Sequence, residues 1–180
     1  MPVNPTSPDG RPYEKPSKDM FDKIRNFAAP IFACGEYSVH GADHWHRVET
    51  VGLELCEENG ADKTIVRLFA ILHDSCRLDD GADRLHGPRA ADMLGGIAGE
   101  LFTLEPDRLE ILEYAIRHHT GGQISDDPTI GTCWDADRLD LGRVRITPHP
   151  RYMSTESGLR RVQLIRAQWR SIRNHHHRHR

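Results

Sequence analysis

Apolar residues recur at spacings of three and four along most of this chain, and no run alternates with period two between turn residues. That pattern predicts helices from end to end and no sheet. Seven are expected: Ser17 to Ala33, Asp43 to Asn59, Asp62 to Asp74, Leu85 to Leu101, Pro106 to His119, Pro128 to Leu139 and Thr155 to Arg173. The boundaries have chemical reasons. Asn59-Gly60 is a helix stop, Pro106 suits a first helical turn, and Asp127 followed by Pro128 reads as an N-cap and first position after the breaker TGGQISDD. The third segment carries Ile65, Val66, Leu68, Phe69, Ile71 and Leu72 on more than one side, which marks it as the central helix. The last presents Leu159, Val162, Ile165, Trp169 and Ile172 as an inward stripe. The expected fold class is all-α, a compact bundle of six to seven helices. It forms one domain over residues 17–174, after a proline-rich flexible leader at 1–16 and before a disordered His/Arg tail at 175–180.

Composition narrows the class. With 180 residues, 37% apolar and 28% charged, the chain is long enough for one well-buried core. No stretch approaches the ~18 apolar residues of a membrane span, and the N-terminus lacks the basic and apolar regions of a secretory signal, so a cytoplasmic location is expected. Cys34, Cys56, Cys76 and Cys133 form no CxxC pair, which points to reduced thiols rather than a disulfide framework or zinc ribbon. The net charge of −3 hides an asymmetry: residues 143–180 hold ten arginines and one acid. A solvated helix face is the expectation there; attraction to phosphate groups, those of a nucleic acid included, is the alternative and is not favoured. Oligomeric state is not legible.

The segment FAILHDSCRLDDG, residues 69–81, carries a core helix straight into an imidazole beside a carboxylate, two groups that are costly to bury unpaired. Similar residues stand at other helix ends: His44 in the first turn of the second helix, His86 at the start of the fourth, His118 and His119 at the end of the fifth, Asp137 late in the sixth. Antiparallel packing brings such ends together, and coordination of divalent cations then offsets the cost of desolvation. The candidate ligands are His44, His73, Asp74, His86, His118 and Asp137, with Asp74 as a bridge between two ions; of the pair His118-His119 one is a ligand and the other its neighbour, and His119 is the alternative to His118. His46, two positions from His44, faces elsewhere. Each residue also has a plainer reading: Asp74 as a cap, His86 as the N-cap before Gly87-Pro88, and Asp135, Asp137 and Asp140 as a solvated face.

The order HGADHWHRV (40–48), AILHDS (70–75), RLHGPRAA (84–91), AIRHHT (115–120) and DADRLDL (135–141) resembles the HD-domain superfamily of metal-dependent phosphohydrolases over roughly residues 20–145. The resemblance implies an all-helical bundle whose His, His-Asp and distal Asp are His44, His73, Asp74 and Asp137. Two-metal members add two histidines, matched by His86 and His118. No Gly-Tyr-Pro follows the histidine pair, so a cyclic-di-GMP phosphodiesterase is not indicated. One or two divalent transition-metal ions (Mn, Fe, Co, Ni or Zn) are the expected cofactor. Asp74 and Arg77 are the expected catalytic residues, with Arg77 and Arg47 on the substrate phosphate. Arg89 and Arg117 read as surface salt bridges, and His119, Arg138 and Asp140 as supports behind the ligands. The expected function is hydrolysis of a phosphomonoester or phosphodiester, a nucleotide or other small phosphorylated metabolite. An HD-type diiron oxygenase and a non-catalytic metal-containing signalling module are the alternatives.

Overall fold

The structure, a computed structural model, describes residues 16–178, with side chains through residue 170. Seven α-helices follow one another: α1 (Lys18–Ile31), α2 (Ala42–Asn59), α3 (Lys63–Leu72), α4 (His86–Ile97), α5 (Pro106–His118), α6 (Pro128–Leu139) and α7 (Glu156–Arg178). Short 3-10 turns at His119–Gly121, Asp140–Val144 and Pro150–Tyr152 join the later ones. No strand is present among the described residues, and no described helix is long and apolar enough to cross a membrane. The leader expected at 1–16 lies outside the described residues but for its last position. α7 continues through Arg178, past the end expected at Arg173.

Local chemistry starts and stops these helices. Asp62 accepts from the amides of Thr64 and Ile65, Asp127 does the same for Thr129 and Ile130, and Ser17 caps Met20. Gly60 ends α2 in the left-handed region at φ 72°, with its amide bonded to the Cys56 carbonyl. α4 is shorter than its apolar pattern predicts. Gly99, at φ 91°, turns the chain and donates to the Phe102 carbonyl, so residues 98–102 form a bridged loop instead of a last turn.

α3 is the hub. Ile65, Val66, Leu68, Phe69, Ala70, Ile71 and Leu72 are all buried, and α1, α2, α5 and α6 pack around it. Each such apolar side chain contributes roughly 1.5–3 kcal/mol on burial, so this helix has little freedom to shift. α4 lies against α5, where a Cβ at Gly87 would stand 2.8 Å from the Ile116 carbonyl; glycine is what permits that approach. A smaller cluster of Leu55, Leu139, Met153 and Val162 seats α7. The inward stripe of α7 is narrower than expected: Val162 is buried and Ile165 packs beside it, but Leu159 is exposed, and the side chain of Ile172 lies outside the described residues. All four cysteines are free thiols, with Cys56 and Cys133 in the core.

Charged groups are interior too, and Glu49 shows how one is held. Glu49, 6% exposed, accepts from Arg67 Nε at 2.7 Å and from Arg25, tying α2 to α1 and α3. Burial opposes its ionisation, but Arg67 and Arg25 outweigh that and hold its pKa below the ordinary value. A depressed carboxyl contributes stability above its unfolded pKa, about 4.3, and loses it as the pH falls through the lower folded value. Glu49→Gln is expected to cost about 3 kcal/mol in urea unfolding at pH 7, with the gap to wild type closing below about pH 4. An undiminished gap in acid would contradict this account.

Candidate metal centre

The helix ends converge. α3 stops at Leu72, one residue before the doublet: the His73 amide still bonds the Phe69 carbonyl at 2.9 Å, and Asp74 stands in the open turn. The first turn of α2 brings His44, the start of α4 brings His86, the 3-10 turn after α5 brings His119, and the last turn of α6 brings Asp137. His44, His73, Asp74, His86 and His119 are at most 4% exposed.

Their ring orientations are set from outside the cluster. His73 Nδ1 faces the carbonyls of Phe69 and Ala70 at 3.1 and 3.2 Å, and His119 Nδ1 faces that of Ile116 at 2.7 Å. His86 Nδ1 faces the carbonyl of Asp83, and His44 Nδ1 lies 2.7 Å from Asp140 Oδ2. Carbonyl and carboxylate oxygens only accept, so each Nδ1 carries the proton and each Nε2 of a neutral ring presents a lone pair. Those lone pairs face one another. His44 and His73 approach at 3.1 Å between Nε2 atoms, and His86 and His119 at 2.9 Å.

Asp74 lies between the two pairs. Its Oδ2 is 3.7 Å from both His44 and His73 Nε2, and its Oδ1 is 3.0 Å from His86 and 3.5 Å from His119. Asp137 Oδ1 closes the first pair, 3.3 Å from His44 and 3.8 Å from His73. Two lone pairs at such distances repel unless a cation sits between them, so the donor set fits metal: His44, His73 and Asp137 on one side, His86 and His119 on the other, one carboxylate oxygen of Asp74 for each. His44-His73-Asp137 and His73-Asp74-His119 each have ligand atoms within 4.8 Å of one another. Burial pushes His73 down to about 3, while His44 and His119 are raised because Asp137 and Asp140, and Asp74 respectively, outweigh burial. Asp74 and Asp137 stay well below the usual carboxylate range: burial opposes this, but His73 and its neighbours act on Asp74, and His44 and His73 on Asp137.

Several expected residues are placed differently. His118, the expected ligand, turns away and packs on Tyr114 with ring centroids 4.5 Å apart; His119, expected behind it, is in the cluster. The reason is the switch from α-helix to 3-10 turn at this residue, which rotates His119 inward. Asp140 supports His44 rather than Asp137, and Arg47, 45% exposed, bonds Asp140 at 2.8 Å instead of facing the site. Arg138 donates to the Tyr152 carbonyl at 2.6 Å and lies over Trp134. Arg77 reaches the centre, 3.5 Å from Asp74 and 3.3 Å from both ring nitrogens of His86, but it also donates to the carbonyls of Gly81 and Asp79. Arg89 holds the Cys76 carbonyl and Asp83, and Arg117 pairs with Asp92 and Glu113.

Two residues escaped the sequence pattern. His40 Nδ1 lies 2.9 Å from Asp74 Oδ2, and Arg143 lies 3.7 Å from Asp137 Oδ1. Both belong to non-helical segments, where periodicity has nothing to report; the recurrence of His at 40, 44 and 46 was the one available signal for the first. A cavity of about 460 Å³ opens beside the centre, lined by Asp74, His86, His119 and Asp137 together with Gly121, Arg138, Arg143 and Tyr152.

A helical bundle whose element ends gather four imidazoles and two carboxylates defines an all-α protein with a centre whose donors could hold metal. The family model for the HD domain matches residues 41–142, from the first turn of α2 to the 3-10 turn after α6, and the chain belongs to that family. Among solved structures, the fold is similar to that of a predicted HD superfamily hydrolase from an uncultured Thermotogales bacterium. That likeness has a TM-score of 0.70 and 20% identity, over 86% of this chain and 89% of the other. No curated protein matches the chain.

The placement of the two neighbouring histidines is directly testable. His119→Ala is expected to lower bound metal by about one ion per chain, by mass spectrometry of the native protein, and His118→Ala to leave it unchanged. The reverse result would show that the turn after α5 is wrongly placed.

Proposed function

We propose that the chain is a metal-dependent phosphohydrolase that cleaves a phosphomonoester or phosphodiester of a nucleotide or other small phosphorylated metabolite. The observation that carries this reading is the pair of facing imidazole couples bridged by the two oxygens of Asp74, beside a cavity of about 460 Å³, a volume suited to a small molecule. His44, His73, Asp74 and Asp137 would hold one divalent ion, and Asp74, His86 and His119 a second. Mixed imidazole and carboxylate donors suit Mn, Fe, Co, Ni or Zn better than Mg. When bound, such ions supply Lewis acidity towards a phosphoryl oxygen and a water acidic enough to react near neutral pH.

The chain's own groups prepare the site. Asp140 keeps the proton of His44 on Nδ1, and the carbonyls of Phe69, Ala70, Asp83 and Ile116 do the same for the other three rings, so that every Nε2 is available as a donor. His40 Nδ1 lies against Asp74 Oδ2 and steadies the carboxylate that would serve both ions. Arg77 sits beside Asp74 and His86, where its charge faces the reacting end of the cavity.

Metal analysis of the full chain followed by a phosphate-release assay with several divalent ions tests the reading. Wild type is expected to carry metal and release phosphate, and Asp74→Ala to lose both, with a fall in rate of at least ~1,000-fold and helix content retained. His46→Ala is expected to be nearly silent on both, since His46 is exposed on the opposite side of α2 from His44. Wild-type metal content in Asp74→Ala would refute the assignment. A diiron absorption spectrum with an O2-dependent product and no phosphate release would replace hydrolysis by oxygenation.

A further inference from the structure

Six arginines lie near the centre on the chain or in space, and four have their heads taken up by the protein. Arg47 is held by Asp140, Arg89 by Cys76 and Asp83, Arg117 by Asp92 and Glu113, and Arg77 by two loop carbonyls, Asp74 and His86. Arg138 and Arg143 differ. Arg138, 6% exposed, spends Nη1 on the Tyr152 carbonyl, and its Nη2 is buried with no hydrogen-bond partner. Arg143, whose side chain is 9% exposed, is anchored by Nε on the Val39 carbonyl at 3.0 Å, and its Nη1 is likewise buried without a partner. A guanidinium nitrogen left unpaired in the interior is expensive, and natural sites that tolerate one generally have an acceptor to meet it. Both residues line the cavity.

The charges point the same way. The acids nearest Arg143 are Asp137 at 3.7 Å and Asp140 at 3.9 Å, beyond hydrogen-bond reach. Asp140 is committed to His44 and Arg47, and Asp137 faces His44 and His73. A cation seated between the imidazoles would take up the charge of Asp137 and Asp74 and leave Arg143 without a committed counter-anion, whereas Arg138 keeps the charge of buried Asp135, whose oxygens already accept from Ser154 and Thr155.

We propose that Arg143, with Arg138 beside it, forms the anion-binding wall of the cavity and receives the oxygens of a dianionic phosphomonoester, a task that sequence alone assigned to Arg77 and Arg47. Two forked donors beside a centre that would hold divalent cations match a group with several free oxygens and two negative charges. A diester offers one charge and fewer free oxygens, and is the poorer fit. The inference rests on the phosphohydrolase reading and deepens it from phosphate esters in general to monoesters.

The test is calorimetric titration of the metal-loaded full chain with inorganic phosphate, alongside hydrolysis of p-nitrophenyl phosphate and bis(p-nitrophenyl) phosphate. Arg143→Gln is expected to weaken phosphate binding by about tenfold to a hundredfold at unchanged metal content, and Arg138→Gln by about tenfold. Arg143→Lys, which keeps the charge but not the fork, should recover part of the loss and guards against a folding defect in the Gln variant. Arg117→Gln, on the outer face of α5, should leave affinity within about twofold. Wild type should prefer the monoester, and Arg143→Gln should narrow that preference chiefly through KM. Unchanged phosphate affinity in both Gln variants, with wild type binding normally, overturns the arginine assignment and leaves the phosphohydrolase reading standing. Loss of metal instead of phosphate affinity in Arg143→Gln also overturns it, since Arg143 would then be serving Asp137. If the metal-loaded wild type neither binds nor releases phosphate, the phosphohydrolase reading falls and this proposal with it.

Discussion

Four buried imidazoles that each donate their Nδ1–H to an oxygen outside the cluster, and so turn bare Nε2 atoms on one another, impose the condition that the rest of this molecule satisfies. Such an arrangement is stable only around positive charge. The carboxylate of Asp74, 2% exposed and reached by His40, His44, His73, His86, His119 and Arg77, supplies the complementary negative charge in the middle. Its burial is costly in isolation and reasonable as the shared edge of two cation sites. The histidines around them hold Asp74 and Asp137 well below the usual carboxylate range.

Holding six polar side chains at these distances requires a frame that does not yield, and the apolar core supplies it. α3 buries seven of its ten residues against α1, α2, α5 and α6, so its C-terminal turn, which carries His73 and Asp74, cannot drift relative to α2 and α6. On the opposite side, glycine at position 87 lets the start of α4 lie against the end of α5. A Cβ there would meet the carbonyls of Ile116 and Arg117 and the ring of His119. The contact that packs two helices therefore also sets the distance between His86 and His119. The backbone carbonyls that end α3 and α5 also accept from His73 and His119, so groups present at every helix C-terminus become the orienting elements of the centre.

The amino-acid pattern by itself determined the helices, the central position of α3, and the membership of His44, His73, Asp74, His86 and Asp137 in one set of boundary residues. Each of these depends on neighbours within a few positions: a 3.6-residue period, a capping carboxylate, a glycine stop. What it left undecided lies in the segments where that period fails. His118 and His119 are adjacent, and only the change to a 3-10 turn at this point, stabilised by contact with α4, decides which faces inward. His40 and Arg143 sit in turns, and their roles come from partners far along the chain: His40 meets Asp74 across 34 residues, as His44 meets Asp140 across 96. The arginines show the limit most plainly, because a guanidinium takes whichever acceptors the packed chain brings to it. Tertiary packing spent Arg47 and Arg77 on protein oxygens and left Arg138 and Arg143 with nitrogens unpaired, a distribution set by distances between helices rather than by any local spacing.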